Sequence, residues 1–136
     1  RDTAPMHPDL APQPAATATA LPARYYVDAA MPGIDRAAIF DRAWQLVAHV
    51  SQLRDAGDHV VANLAGLPVI AVRGADGAIR VMHNVCRHRA GPIAQCDGLG
   101  AKALRCRYHG WTYTLDGQLR SAPEMQGAQA FDVAAI

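Results

Sequence analysis

From its middle onward the chain alternates between short apolar runs and compact polar breaks. The runs are rich in valine, isoleucine and aromatic residues, which pack well on a pleated sheet, and most are too short to be helices. They predict β-strands at residues 44–50, 58–64, 68–73, 78–84, 111–115 and 118–121. Strands this short and this closely spaced are typical of an all-β domain.

The breaks between these strands carry the residues that tight hairpins require. Ala65-Gly66, Asp76-Gly77 and Asp116-Gly117 each end in a glycine, which adopts a positive φ without steric cost. We therefore expect antiparallel neighbours and a mainly β fold, a small antiparallel β-sandwich or open barrel.

A short helix is predicted ahead of the strands. Asp35 can cap its N-terminus, Pro32 and Gly33 limit it on that side, and it extends to about Arg42. Its apolar contacts are expected at Ile39, Ala43 and Trp44.

Residues 1–24 have a different composition, dominated by alanine, proline and threonine. Such a segment cannot bury enough apolar area to offset the entropy of ordering, so we expect a disordered tail in which His7 has no role. The folded domain is then expected to span residues 25–136.

Two segments near the predicted strands carry soft metal ligands in a distinctive order. Cys86 and His88 form the first pair, and Cys106 and His109 form the second pair after seventeen intervening residues. Thiolates suit an iron bridged by sulfide, and imidazoles suit a second, more exposed iron. A zinc site is an alternative, although zinc fingers usually place both cysteines in one knuckle and both histidines in a helix. Chance placement of four soft ligands on two loops is a further alternative.

This spacing, which continues into Gly110-Trp111-Thr112-Tyr113, resembles the Rieske 2Fe-2S domain. More narrowly, it is similar to the domain at the front of the large (alpha) subunit of ring-hydroxylating and related Rieske non-haem iron oxygenases, over residues 25 to about 125. The resemblance implies a Rieske-type fold with two cluster-binding loops and a 2Fe-2S cofactor. It also implies that Cys86 and Cys106 hold the buried iron, with His88 and His109 on the outer one.

Residues beside the ligands are expected to support the cluster. Gly91 and Gly110 lack a Cβ, which would let backbone amides approach the sulfides, and the Trp111 ring is expected to pack beneath the cluster rather than to act in electron transfer. The full supporting set is Arg87, Arg89, Gly91, Tyr108, Gly110 and Trp111. The arginines could attract an acidic electron donor or could simply be solvated loop residues.

The third cysteine, Cys96, has no evident partner. In respiratory-chain Rieske proteins each ligand loop carries a further cysteine and the two are bridged, which raises the potential. The corresponding stretches of this chain, residues 89–91 and 107–109, contain none, so we expect no such disulfide and a potential toward the low end of the Rieske range.

By resemblance, the cluster takes electrons from a ferredoxin or flavin-dependent reductase and passes them to a mononuclear Fe(II) for hydroxylation or demethylation. That iron lies in a larger downstream domain of such oxygenases, and the electron crosses between subunits of a homotrimer. This chain ends at Ile136, so we expect it to contain no catalytic residue of its own. Three hypotheses remain: part of an oxygenase subunit, a free-standing Rieske ferredoxin-like carrier, or a cluster-bearing sensing or interaction module.

The remaining histidines predict no second metal site. His49, His59 and His83 fall on predicted strands, where hydrogen-bonded structural histidines are the usual finding. Asp58 and His59 with His49 would be the only candidates for a mononuclear iron, but adjacent strand residues point to opposite faces.

Composition excludes other function classes. The net charge of +1 argues against a nucleic-acid-binding surface, and no run approaches the roughly twenty apolar residues that span a membrane. Three cysteines, two of them expected as ligands, favour a reducing compartment, so we expect a cytoplasmic protein.

Overall fold

Two antiparallel sheets of three strands each form the β-rich part of the protein. The structure is a computed structural model that describes residue 9 and residues 11–125 and 127–136. The first sheet has the order β1 (His59–Leu64), β2 (Leu67–Arg73) and β3 (Ile79–His83). The second has the order β4 (Leu104–Arg105), β5 (Thr112–Tyr113) and β6 (Leu119–Ser121). Among the described residues the strands close no barrel, and the prediction of a mainly β, antiparallel fold is confirmed.

The central strand β2 is buried on both faces, which explains its continuous run of apolar residues. Ile70 is fully buried and packs with residues of the second sheet, including Leu104 and Tyr113. Ala71 points the other way and packs with Leu53 and Val60 in a smaller cluster. The main core therefore lies between the two sheets, and the ligand-bearing segments extend from its edge.

The hairpin turns follow the prediction. Ala65 and Gly66 both have positive φ, 49° and 91°, as the tight turn between β1 and β2 requires. Gly77 and Gly117 adopt the same conformation in the turns that end at β3 and β6, with φ of 80° and 94°. Each turn sets the antiparallel register of its strands.

The segment that was predicted as the first strand is not a strand. Residues 44–49 pair with no other strand, and Val50–Gln52 forms one turn of 3₁₀-helix that His49 caps through its ring nitrogen. Val47 and Ala48 pack against the Leu53 cluster, which buries the apolar residues of this segment without a sheet. The prediction was wrong because apolar content alone does not supply a pairing partner.

The leader helix also differs from its prediction. Contacts divide the chain into units 1–43 and 44–136, and the first contains α1 (Arg24–Val27), α2 (Met31–Asp35) and a π-helical turn, Arg36–Phe40. Asp35 ends α2 and directly precedes the π-helical turn, where its backbone is already helical and its side chain makes no capping hydrogen bond. Pro32 lies in the first turn, where its missing N–H costs nothing.

The residues expected to give this helix its apolar contacts are exposed. Ile39 is 52% exposed, and Trp44, which belongs to the second unit, is fully exposed. Of the predicted disordered tail, residues 1–8 and 10 lie outside the described residues, so disorder there stays a prediction. No described helix is long and apolar enough to cross a membrane.

Two buried polar side chains fix the loops around the sheets. The Asp58 carboxylate accepts hydrogen bonds from the backbone N–H groups of Arg54, Asp55 and Gly100, and these bonds hold its pKa below the usual range. Asn84, at the end of β3, accepts from the N–H groups of Ile93 and Ala94 through Oδ1. Its Nδ2 donates to the Ala94 carbonyl over 2.7 Å.

We predict that Asn84→Ala lowers the free energy of unfolding by about 3 kcal/mol, because three backbone groups lose their partner in a buried setting. Urea unfolding of identically prepared proteins measures this. The matched control is Asn63→Ala, since the exposed Asn63 side chain accepts a single hydrogen bond, from Gly66. It should cost no more than about 1 kcal/mol. Equal losses in the two variants would contradict the role given to Asn84.

Candidate metal centre

The two ligand-bearing loops are built on the same backbone plan. In the first, the Cys86 N–H donates to the Gly91 carbonyl over 2.7 Å, and the Ala90 N–H donates back to the Cys86 carbonyl over 2.8 Å. In the second, Cys106 donates to Trp111 over 2.9 Å and Gly110 donates back to Cys106 over 3.0 Å. Each loop is therefore a five-residue turn closed at its cysteine.

A left-handed residue closes each turn. Gly110 has a φ of 77°, and Ala90 occupies the equivalent place with a φ of 56°. A glycine adopts this conformation freely, whereas an alanine does so at a cost in energy. The second loop thus has the favoured residue at this position, and the first loop is held by its hydrogen bonds.

The turns put the cysteines inside and the histidines outside. Cys86 and Cys106 are each 2% exposed and belong to the main core cluster. His109 is exposed and His88 is half-buried. The two imidazole rings lie edge to face with centroids 4.6 Å apart. Two sulfurs therefore lie on the protein side of the loops and two imidazoles lie toward their outer side.

The loops also touch each other. A Cβ built on Gly91 would lie 3.5 Å from the Tyr108 ring and 3.9 Å from the Cys106 sulfur. These are ordinary contact distances to the protein atoms around Gly91, and its expected role beside the sulfides stays a prediction. What they show is that the end of the first loop packs on the cysteine of the second.

His88 presents an atom that a metal would satisfy. Its Nδ1 is buried and has no hydrogen-bond partner among the described residues. Burial lowers the pKa of His88, and the neighbouring His109 and Arg89 lower it further. A neutral imidazole with an unoccupied nitrogen is the form that binds a metal. The residues of this site are therefore suited to bind a metal centre.

No three of the described histidine, cysteine, aspartate and glutamate side chains converge on one point that could hold a single ion. A 2Fe-2S cluster needs only two protein ligands at each iron, so its ligands are two separate pairs. The pairing of two buried cysteines and two adjacent imidazoles is compatible with that demand.

Tyr113 joins the core to the first cysteine. The Arg87 N–H donates to the Tyr113 hydroxyl oxygen over 3.0 Å, which leaves the hydroxyl proton free to point at the Cys86 sulfur, 3.3 Å away. Burial raises the pKa of Tyr113 to about 12, and the bond to Cys86 adds to the rise. The hydroxyl thus stays protonated, and toward a metal-bound thiolate, which has no proton, it is the donor.

Aromatic rings lie against both histidines. Trp111, which is 3% exposed, stacks on His88 with ring planes 10° apart. Tyr108, which is 63% exposed, leans on His109 with centroids 3.8 Å apart. One imidazole therefore has a buried neighbour and the other an exposed one.

Exposed cations surround this end of the molecule. Arg87, Arg89 and Arg107 are exposed, and within the described part of the chain none of them forms an ion pair. Arg105, on β4, is also exposed. These four residues are called the basic rim below. Lys102 is exposed but lies beside Asp76, Arg80 and Asp116, away from the ligand-bearing loops.

Other candidate residues lie away from this site. His59 and His49 each have a ring nitrogen in a hydrogen bond, to the Gly57 carbonyl and to Ser51, as expected for structural histidines. His49 caps the 3₁₀ turn instead of lying on a strand, and His83 is exposed on β3. Asp58 is fully engaged with backbone N–H groups, so it offers no ligand to a mononuclear iron.

Residues 43–132 match the family model of the Rieske [2Fe-2S] domain. The match covers both ligand-bearing loops and both sheets. This chain belongs to the Rieske [2Fe-2S] domain family. The cofactor of such a domain is a 2Fe-2S cluster, which agrees with the buried sulfurs and the unpartnered His88 nitrogen.

Proteins similar to this Rieske domain include oxygenase subunits. The oxygenase subunit of carnitine monooxygenase from Escherichia coli (strain K12) is 35% identical over 82% of the chain. The alpha subunit of biphenyl 2,3-dioxygenase from Rhodococcus jostii (strain RHA1) is 42% identical over 74% of the chain. The chain spans only 30% and 22% of the length of these two relatives.

Solved structures show the same fold. The apo form of a quaternary ammonium Rieske monooxygenase superposes with a TM-score of 0.77 at 31% identity. That similarity covers 84% of this chain and 33% of the other. The Rieske-type fold expected from the sequence is confirmed.

All three cysteines of the Rieske domain are free, as expected from the absence of a second cysteine in each loop. Cys96 is exposed, whereas the other two are buried.

Three features of the site were missed at the level of sequence: the Tyr113 bond to Cys86, the Asn84 bonds to the first loop, and the packing of Phe131 on Trp111. The only local sign of the Asn84 hydrogen bonds in the sequence is its position, a polar residue directly after a strand and two residues before the first cysteine. The other two are contacts between distant segments, which leave no local pattern.

Proposed function

We propose that this Rieske domain transfers single electrons through a 2Fe-2S cluster held by Cys86, Cys106, His88 and His109, as part of an oxygenase alpha subunit. The observation that supports it most is the division of the site into two buried sulfurs and two outward imidazoles, one with an unpartnered nitrogen. When bound, the cluster supplies reversible one-electron transfer.

The ligand roles follow from burial. Cys86 and Cys106 would bind the inner iron because thiolate sulfur is soft and both side chains lie in the core. His88 and His109 would bind the outer iron through neutral nitrogens. Because the imidazole side faces outward, electrons would enter and leave through it.

The supporting residues have separate proposed roles. Tyr113 donates to the Cys86 sulfur, and Gly110 permits the left-handed turn that closes the second loop. Arg87, Arg89 and Arg107 of the basic rim would attract an acidic redox partner, because their charges are not neutralised by neighbours within the described residues. Tyr108 would contact that partner, since it is exposed beside His109.

The names of the relatives support a place in an oxygenase system. The proposed electron donor is a ferredoxin or flavin-dependent reductase, and the proposed acceptor is a catalytic oxygenase domain with mononuclear Fe(II). We further propose hydroxylation or demethylation as the reaction of the whole enzyme, and a homotrimer as its assembly. The relatives do not favour a free-standing carrier or a sensing module.

A reducing, cytoplasmic setting is part of the proposal. All three cysteines are free, and the exposed Cys96 would be open to oxidation in an oxidising compartment.

The ligand set is tested by iron and acid-labile sulfide analysis of cysteine variants. We predict equal iron and sulfide, two of each per chain, in the unaltered protein. Cys86→Ser and Cys106→Ser should each lose most of the bound iron and sulfide, because serine replaces a core thiolate. Cys96→Ser makes the same exchange at an exposed position and should keep both. One zinc per chain with no sulfide would reject the proposal, and so would full sulfide in either core variant.

Tyr113→Phe should lower the midpoint potential by about 40 mV. Reduction adds negative charge to the sulfurs, so losing a donor worth about 1 kcal/mol more to the reduced state makes reduction less favourable. Protein-film voltammetry measures the potential. Tyr26→Phe removes the same hydroxyl from a side chain that is 72% exposed in the first unit, and should leave the potential unchanged. An unchanged potential in Tyr113→Phe would exclude a bond from this hydroxyl to a cluster ligand.

A further inference from the structure

Trp111 is buried without a hydrogen bond to hold it. Its indole Nε1 has no acceptor among the described residues, although the side chain is only 3% exposed. An indole N–H can only donate, so a metal ion at the neighbouring histidines would not accept from it. Among the described residues, the position of Trp111 is therefore set by contacts of its ring.

Two rings make those contacts. His88 stacks on the indole with centroids 4.9 Å apart and planes within 10°. Phe131 packs against it at 5.5 Å with planes 58° apart. Offset stacking and tilted contacts at these distances are favourable for aromatic pairs. Val133 and Ile136 also pack against the same core cluster, so the C-terminal segment holds the Trp111 side of the stack in place.

With Nδ1 bound to iron, no hydrogen bond from a described residue fixes the angle of the His88 ring. An imidazole bound to a metal through one nitrogen can rotate about the metal–nitrogen bond. Rotation changes the overlap between the ring and the metal orbitals. A buried parallel ring would restrict this rotation, whereas the Tyr108 ring beside His109 is exposed and tilted by 32°.

We propose that Trp111 is a positioning residue that fixes the plane of the His88 imidazole by stacking on it. This inference rests on the proposed function, in which His88 is an iron ligand. It assigns Trp111 no part in electron transfer itself. The aromatic face of Trp111 determines the plane of the imidazole, and the indole N–H does not contribute.

The test is pulsed EPR of the reduced 136-residue chain, which measures the hyperfine couplings of nitrogens bound to the cluster. The unaltered protein should show two nitrogen couplings, one from each histidine. In Trp111→Leu one coupling should shift or broaden while the other stays unchanged, because only His88 loses its stacking partner. Trp111→Phe keeps an aromatic face and should retain both couplings. Trp44→Leu makes the same exchange at the other tryptophan, which is fully exposed, and should also leave both unchanged.

The outcomes separate this inference from the proposed function. No nitrogen coupling in the unaltered protein would overturn both. Two couplings there that persist unchanged in Trp111→Leu would overturn only the positioning role. A change in Trp111→Phe as large as in Trp111→Leu would also overturn it, since the N–H or the volume would then be decisive. If the leucine variant does not fold, Trp111→Met takes its place in the same comparison.

Discussion

The site depends on the closure of two short backbone turns at their cysteines. In each turn the cysteine donates its N–H across the loop and accepts a hydrogen bond on its carbonyl from the fourth residue after it. That pair of bonds fixes where the cysteine side chain points, and in both loops it points into the core. The histidine is the second residue after the cysteine in one loop and the third in the other, and both imidazoles end on the outer side of the loops.

The two sheets make this arrangement stable. The second loop joins β4 to β5, so its two ends are fixed by strand pairing. The first loop follows the last residue of β3, and the Asn84 amide bonds hold its far side. Tyr113 extends from β5 to the sulfur of the first loop and thereby links the two loops through the core. The result is an uneven environment, with low polarity around the sulfurs and exposed arginines near the imidazoles. Such a gradient suits a centre that keeps its charge inside and exchanges electrons at one side.

The structural features that could be predicted from the sequence are those determined by residues close together in the chain. Glycine adopts a positive φ without steric cost, so the glycines of the hairpin turns could be recognised from the sequence. The strands that flank them were located within a few residues. The Cys-x-His and Cys-x-x-His segments likewise have a chemistry that is readable without a fold. The strand predicted at residues 44–50 does not form, because a strand needs a pairing partner. The apolar side chains of this segment pack against the Leu53 cluster instead. The cap at Asp35 failed because Pro32 starts a helix as readily as it ends one. The contacts of Tyr113 and Phe131 could not be predicted, since each joins residues far apart in sequence.

In the proposed cluster, two cysteines hold one iron and two histidines hold the other. Mössbauer spectroscopy of ⁵⁷Fe-enriched protein tests this division of ligands, because each iron gives its own quadrupole doublet. We expect two inequivalent ferric sites in equal amounts, and after one-electron reduction a ferrous signal confined to the nitrogen-bound site. Two equivalent ferric sites, or a single mononuclear iron signal, would contradict it.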